Sequence, residues 1–388
     1  MSERVYLDWN ATTPLRPEAR AAMAAAWDVC GNPSSVHAEG RRARHLVEDA
    51  RAAIARAIDA VPRNVVFTSG GTEANAMALV PGLRGPSGQP AVWLLLSAIE
   101  HTSVLAGGRF AAATMSRIKV TRSGVVDLDH LRELLGSRPP ALVSIMAANN
   151  ETGAVQPVRE AADIVHAAGG LLHVDAIQAL GKVPLNINDA GADLVSLSAH
   201  KVGGPKGVGA LVLAEGLSGL EPLLRGGGQE RGHRAGTEDV AGIAGFGAAV
   251  SAAMAAFEAD VGRLEGLRNR LEMGLRETPG AIVFSDRVQR LPNTTLFTVP
   301  GMRAETAVIG FDLAGVAVSS GSACSSGKVQ PSHVLEAMGF DPKTAQGAVR
   351  LSLGWSTSQT DIDRCLEAWR KLSGTLLKRS DETLLERF

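Results

Sequence analysis

Residues 193–207 read DLVSLSAHKVGGPKG. The opening run has the composition of a strand, and Ser198, His200 and Lys201 stand at its carboxyl end, ahead of Gly203 and Gly204. A lysine closing a buried strand is rare unless it is paired or reactive; the plain alternative is a lysine on a surface loop. The choice depends on the neighbours of this strand. Five further runs of the same kind lie on either side: NVVFTS (64–69), VWLLLS (92–97), ALVSIMA (141–147), LLHVDA (171–176) and GALVLA (209–214). Ala-rich amphipathic stretches such as PEARAAMAAAW (17–27) and HLVEDARAAIARAI (45–58) alternate with them. Short apolar or β-branched runs separated by helix-length segments predict βαβ units and a mostly parallel α/β sheet.

The α/β portion is expected over residues 14–255. Beyond it, FGAAVSAAMAAFEADVGRLEGLRNRLEMGLRE (246–277) reads by its leucine and alanine spacing as one extended helix. NTTLFTVP (293–300), AGVAVSS (314–320) and VRLSLG (349–354) are strand-like and, with two helical segments, predict a smaller α+β domain. Residues 1–13 are expected to join it, so the division is 14–255 against 1–13 plus 256–388.

Composition narrows the function. Lys plus Arg (39) nearly balances Asp plus Glu (40), for a net charge of -1. Such a chain sets up no field for nucleic acid or anionic lipid, which favours a small ligand or a protein partner. No apolar run approaches the ~20 residues of a membrane span, and MSERVYLDWN lacks the apolar core of a signal peptide. The three cysteines (Cys30, Cys324 and Cys365) are far apart and odd in number, which argues against a disulfide framework or a CxxC metal knuckle. A reducing cytoplasm is the expected compartment.

In an open parallel sheet, ligands gather beyond the carboxyl ends of the strands. NVVFTSGGTEANAMAL (64–79) is strand, glycine pair, then helix, with Gly71 and Thr72 where free N–H groups would face an anion. A capped tight turn is the bland reading, and the Walker pattern is absent. LLHVDAIQALGK (171–182) ends a strand at Asp175 among apolar neighbours, where a carboxylate needs a cation or a donor. ALVSIMAANNETGAV (141–155) ends in Asn149, Asn150 and Glu151, which as a bare motif is a turn, and SAIEHTSV (97–104) brings in His101. Each signal is weak alone. Together an anion cradle, a buried acid, a strand-end lysine, a histidine and an amide are the equipment for pyridoxal phosphate.

Cys324 is different. It lies in AVSSGSACSSGKVQP (317–331), a run of small residues with no second cysteine nearby. Set beside YLDWNATTP, GGTEAN, EH, NNETG, HVDAIQ, SAHKVGGPKG, GGGQERGHRAGT, SSGSACSSG and VRLSLG, the chain resembles, over nearly its whole length, a cysteine desulfurase of the NifS/IscS type. Those enzymes belong to the class V aminotransferase family of fold-type-I pyridoxal phosphate enzymes.

The resemblance implies a seven-stranded, mostly parallel sheet and a bound pyridoxal 5'-phosphate. It makes Lys201 the lysine that carries the cofactor. Asp175 then faces the ring nitrogen, His101 stacks on the ring and shuttles protons, and Asn150 and Gln178 lie by the phenolic oxygen. Gly71, Thr72, Ser198 and His200 hold the phosphate, and Thr237 reaches the phosphate of a neighbouring subunit, which implies a homodimer with shared sites. Arg350 takes the substrate carboxylate, with Asn10 and Asn150 in the same pocket. Cys324 matches the persulfide-forming cysteine, while Cys30 and Cys365 match no motif and are expected to be structural. The expected reaction turns L-cysteine into L-alanine and passes the sulfur to an acceptor protein, for iron–sulfur cluster assembly or other sulfur transfer. Gly203 and His233 stand where the family pattern varies.

Three rivals remain at this level. A selenocysteine lyase or a plain aminotransferase would share the surroundings of Lys201 and Asp175, although transamination needs no protein nucleophile. A non-catalytic anion-binding protein would use GGTEAN and GGPKG only as nests.

Overall fold

The computed structural model describes residues 4–136, 140–321 and 331–385, the stretch 375–385 by its backbone alone. Its strands, in chain order, are β1 (Val5–Tyr6), β2 (Val65–Thr68), β3 (Trp93–Ser97), β4 (Met115–Ile118), β5 (Ala141–Met146), β6 (Leu171–Asp175), β7 (Leu194–Ser198) and β8 (Gly209–Leu213). They are followed by β9 (Ile282–Val283), β10 (Thr294–Thr298), β11 (Val316–Ala317), β12 (Ser319–Ser320) and β13 (Val349–Ser352).

Seven of them form one sheet in the order β2-β8-β7-β6-β5-β3-β4. Only β8 runs against the rest, antiparallel to both β2 and β7. The reason is chain length. Residues 199–208 are too few for a parallel crossover, which takes a dozen or more, so the chain turns straight back. The other six strands share a direction, and Thr68, Ser97, Met146, Asp175 and Ser198 all end on one edge.

Both faces of this sheet are covered, which is why its strands read as near-continuous apolar runs. Neighbouring residues point to opposite faces. Val195 and Leu197 join a core with Ile54, Phe246 and Val250, whereas Leu194 joins a separate core with Met77, Leu96 and Leu211. The sequence reading missed β4. Its MSRI is a half-exposed edge strand whose polar and charged residues hide the strand period.

A second sheet, β12-β13-β10-β9, is antiparallel throughout. Against it lies a core built on Trp369, whose ring meets Phe297 edge-on with centroids 5.0 Å apart, together with Leu271 and Phe311. The amino terminus belongs to this layer: β1 pairs with β11, Leu7 is buried in the same core, and Asp8 bridges to Ser352.

The single helix expected over 246–277 is in fact two. Val240–Ala255 and Phe257–Arg276 meet at Ala256 with a bend of 72°. The first is wedged in the core of the large sheet through Phe246, Val250 and Ala253; the second turns Leu264, Leu271 and Leu275 into the Trp369 core. The first half is apolar nearly all round, so the apolar spacing carries no signal of where the joint falls. Only the two destinations require the bend. Among the described residues no single helix is long and apolar enough to cross a membrane.

Candidate active site

Eleven of the sequence-predicted site residues line one cleft of about 390 Å³: Asn10, Gly71, Thr72, His101, Asn150, Asp175, Gln178, Ser198, His200, Lys201 and Arg350. It opens at the common carboxyl edge of the large sheet. Thr237 lies elsewhere, in a hollow with Ser69 and Arg234. Cys324 falls outside the described residues, but Ser319, five positions before it, lines the cleft.

The floor is built by strand ends. After β2 the chain passes Gly70, at φ 155° and ψ 177°, a conformation essentially reserved for glycine, and enters the helix Gly71–Ala78. Among the described residues no acceptor is recorded for the backbone N–H groups of Gly71 and Thr72. Free donors at a helix start beside the Thr72, Ser198 and His200 side chains suit a phosphate. His200 reaches Thr12 Oγ1 through Nδ1 at 3.2 Å.

Asp175 ends β6 almost fully buried. Its Oδ2 accepts from Asn75 Nδ2 at 2.8 Å and its Oδ1 from the Ile177 amide at 3.0 Å, and burial raises its pKa despite both bonds. No cation forms an ion pair with it among the described residues. A protonated ring nitrogen would fill that role. Glu100, also buried, is pushed well above the usual carboxylate range by burial and then by Asp175; its Oε1 accepts from the Met146 amide. Burial and the neighbouring Asp175 thus both oppose a charge on Glu100.

Asn75 also donates to Ser103 Oγ at 2.9 Å, and Ser103 Oγ lies 2.8 Å from His101 Nδ1, which in turn accepts from the Ser103 amide. With Nδ1 the acceptor, the neutral imidazole carries its proton on Nε2. Burial and Lys201 lower the His101 pKa, against the pull of Asp175. Neither Asn75 nor Ser103 was read from the sequence. The signal was present: Asn75 follows Gly71 by one helical turn and so shares its face.

Lys201 sits on the short turn after β7. Its Nζ donates to the carbonyls of Asn10 (2.5 Å) and Ala11 (2.8 Å), and burial, then Arg350, lower its pKa to about 8. Arg350, on β13, bonds Asp8 Oδ1 at 2.8 Å and the Asn150 carbonyl at 3.1 Å, and its buried Nε has no partner among the described residues. Gln178 donates to the Asn10 carbonyl at 2.9 Å and accepts from Lys182 Nζ at 2.6 Å. Lys182 is a buried lysine that sequence reasoning passed over, because nothing in ALGK marks it as interior. Of the other cysteines, Cys365 is buried with its thiol pushed up to about 12, as a packing residue should be. Cys30 is exposed, so the structural role expected of it is corrected. Gly203 has φ +95°, and a Cβ there would come 2.5 Å from Arg16 Cγ.

The residues therefore fit pyridoxal phosphate: an anion cradle, an unpaired buried acid and a depressed lysine face one cleft. Comparison with known proteins agrees in kind. The chain is 45% identical over 372 residues to a cysteine desulfurase of Cereibacter sphaeroides, covering 94% of each. It is 39% identical over 377 residues to a cysteine desulfurase IscS of Dictyoglomus turgidum, covering 96% of this chain and 95% of that one. The crystal structure of a NifS-like protein from Rickettsia africae superposes with a TM-score of 0.87 at 36% identity, covering 96% of this chain and all of that one. The aminotransferase class-V family model matches residues 5–365, and with the lysine, acid and anion cradle at their strand ends, the chain belongs to that family.

Proposed function

We infer that the protein is a cysteine desulfurase that uses pyridoxal 5'-phosphate and carries the released sulfur on Cys324. The observation that bears most weight is the convergence of Lys201, Asp175 and the free N–H groups of Gly71 and Thr72 on a cleft that Ser319 also lines. Five residues of chain span at most about 17 Å, so Cys324 is tethered within reach of that cleft. The relatives named above add the desulfurase activity to this reading.

In this reading Gly71, Thr72, Ser198 and His200 hold the phosphate, joined by Thr237 from a second subunit of a homodimer. Asp175 would hold the proton of the ring nitrogen, and Asn150 and Gln178 would bind beside the phenolic oxygen. When bound, the cofactor supplies the sink for electrons released at the substrate Cα. Lys201, part neutral near physiological pH, holds the cofactor and moves the Cα proton. Arg350, which lines the cleft, receives the substrate carboxylate, with Asn10 in the same pocket. His101 would stack on the cofactor ring and exchange protons. The Cys324 thiolate attacks the substrate sulfur, so L-cysteine and the Cys324 thiol become L-alanine and a Cys324 persulfide. The persulfide passes to acceptor proteins for iron–sulfur cluster assembly or other sulfur transfer, in the cytoplasm. Residues 14–255 form the cofactor-binding domain, and 1–13 with 256–388 the small domain that carries Cys324.

Incubation with L-cysteine tests this directly. Alanine should form in step with a Cys324 peptide one sulfur heavier, and Cys324→Ser should give neither. Alanine and sulfide at the wild-type rate from Cys324→Ser would overturn the role of the thiol.

A further inference from the structure

Lys182 is a buried titratable group that the reaction above does not use. It is 9% exposed, and no carboxylate among the described residues forms an ion pair with it. Its Nζ donates to Gln178 Oε1 at 2.6 Å and approaches Asn10 Oδ1 at 3.5 Å. The charged groups acting on it are of its own sign, Lys201 and Arg350, while the nearby His200 is held neutral, its pKa lowered to about 4 by burial and the lysines. Arg16 and Asp260, paired at 3.9 Å, line a small hollow on its far side. Burial, then Lys201 and Arg350, bring its pKa to about 7. An uncompensated ammonium in the interior costs stability, so a residue with no task here would be replaced by an apolar one at a gain.

The task is legible in the bonding. An ammonium can only donate, and a backbone carbonyl can only accept. Held between them, the Gln178 amide has one orientation: Oε1 toward Lys182 and Nε2 toward the Asn10 carbonyl. That same carbonyl accepts from Lys201 Nζ at 2.5 Å. We propose that Lys182 is a positioning residue of the site, which locks the Gln178 amide and through it holds the Asn10 carbonyl against Lys201 Nζ. The proposal rests on the pyridoxal phosphate reading.

The test is the pH midpoint of the visible absorption band of the purified holoenzyme, read beside its thermal unfolding. Freeing the Gln178 amide changes the hydrogen bonds at the Asn10 carbonyl beside Lys201, so Lys182→Met should shift the midpoint by about half a pH unit or more. Lys182→Arg, which keeps charge and donor, should return the midpoint toward the wild-type value. A merely structural lysine would lower the thermal midpoint and leave the band's pH midpoint unmoved in Lys182→Met; that result overturns the proposal. If Lys182→Met does not fold, Lys182→Leu decides, because it also removes the donor to Gln178 and must shift the midpoint. A wild-type protein with no visible band at any pH sinks the cofactor reading and this proposal with it, whereas a wild-type band that Lys182→Met leaves in place sinks this proposal alone.

Discussion

The chemistry of this cleft is set by how far individual side chains are taken from their solution behaviour. Lys201, brought to about 8 by burial and Arg350, is part neutral where an ordinary lysine is fully charged. Recombination of the cofactor-free protein with pyridoxal phosphate should therefore quicken as pH rises, with a midpoint near 8 in the rate of band formation. A midpoint near 10 would mean that the lysine is not desolvated. Asp175 should be as sensitive. Asp175→Asn removes the charge that holds the ring nitrogen protonated and is expected to cut alanine formation by about 10²-fold or more, with the cofactor still bound. Lys182 gives a stability signature. Its folded pKa of about 7 lies below the ordinary value of ~10.4, so the unfolded chain binds more protons between the two and the burial cost fades as pH rises. The stability of wild type relative to Lys182→Met should accordingly climb from pH 7 to 9 in denaturant titrations. Lys201 and Asp175 were legible in the sequence because each follows a recognisable strand. Lys182 was not, since only the fold turns it inward.

Among the elements, the turn between β2 and the helix Gly71–Ala78 carries the anion cradle, and its shape depends on Gly70. A side chain at φ 155° and ψ 177° is strained whatever the space around it. Gly70→Ala should cost about 1–3 kcal/mol in unfolding free energy and weaken cofactor retention on dialysis. Unchanged retention would show that the turn does not shape the cradle. The GGTEAN motif announced this element, and β2 was plain from NVVFTS. The edge strand β4 and the 72° bend at Ala256 were not plain. The first has too little burial to impose a period, and the second follows a helix apolar nearly all round, whose spacing does not mark its end.

For the whole molecule, the site depends on elements distant in sequence being held in register. Arg51, on the helix Ala38–Ala57, forms two 2.8 Å bonds to Glu230, which also accepts from the Phe67 amide on β2. Both side chains are nearly inaccessible, at 3% and 2%. The pair fixes the 229–232 turn, where Glu230 and Arg231 both have positive φ. Arg51→Ala strands a buried carboxylate and should destabilise the fold by about 3–5 kcal/mol, whereas Arg51→Met with Glu230→Leu should recover part of the loss. Additive losses in the double variant would refute the coupling. The six strands of the large sheet other than β4, the α/β class and the strand-end site residues were determined by sequence alone, because burial on both faces writes continuous apolar runs and the chemistry sits where those runs stop. The reversal of β8, the bend between the cores and the Lys182–Gln178–Asn10–Lys201 chain were decided only by tertiary structure. Each depends on which distant segment lies opposite, and local periodicity carries no record of that.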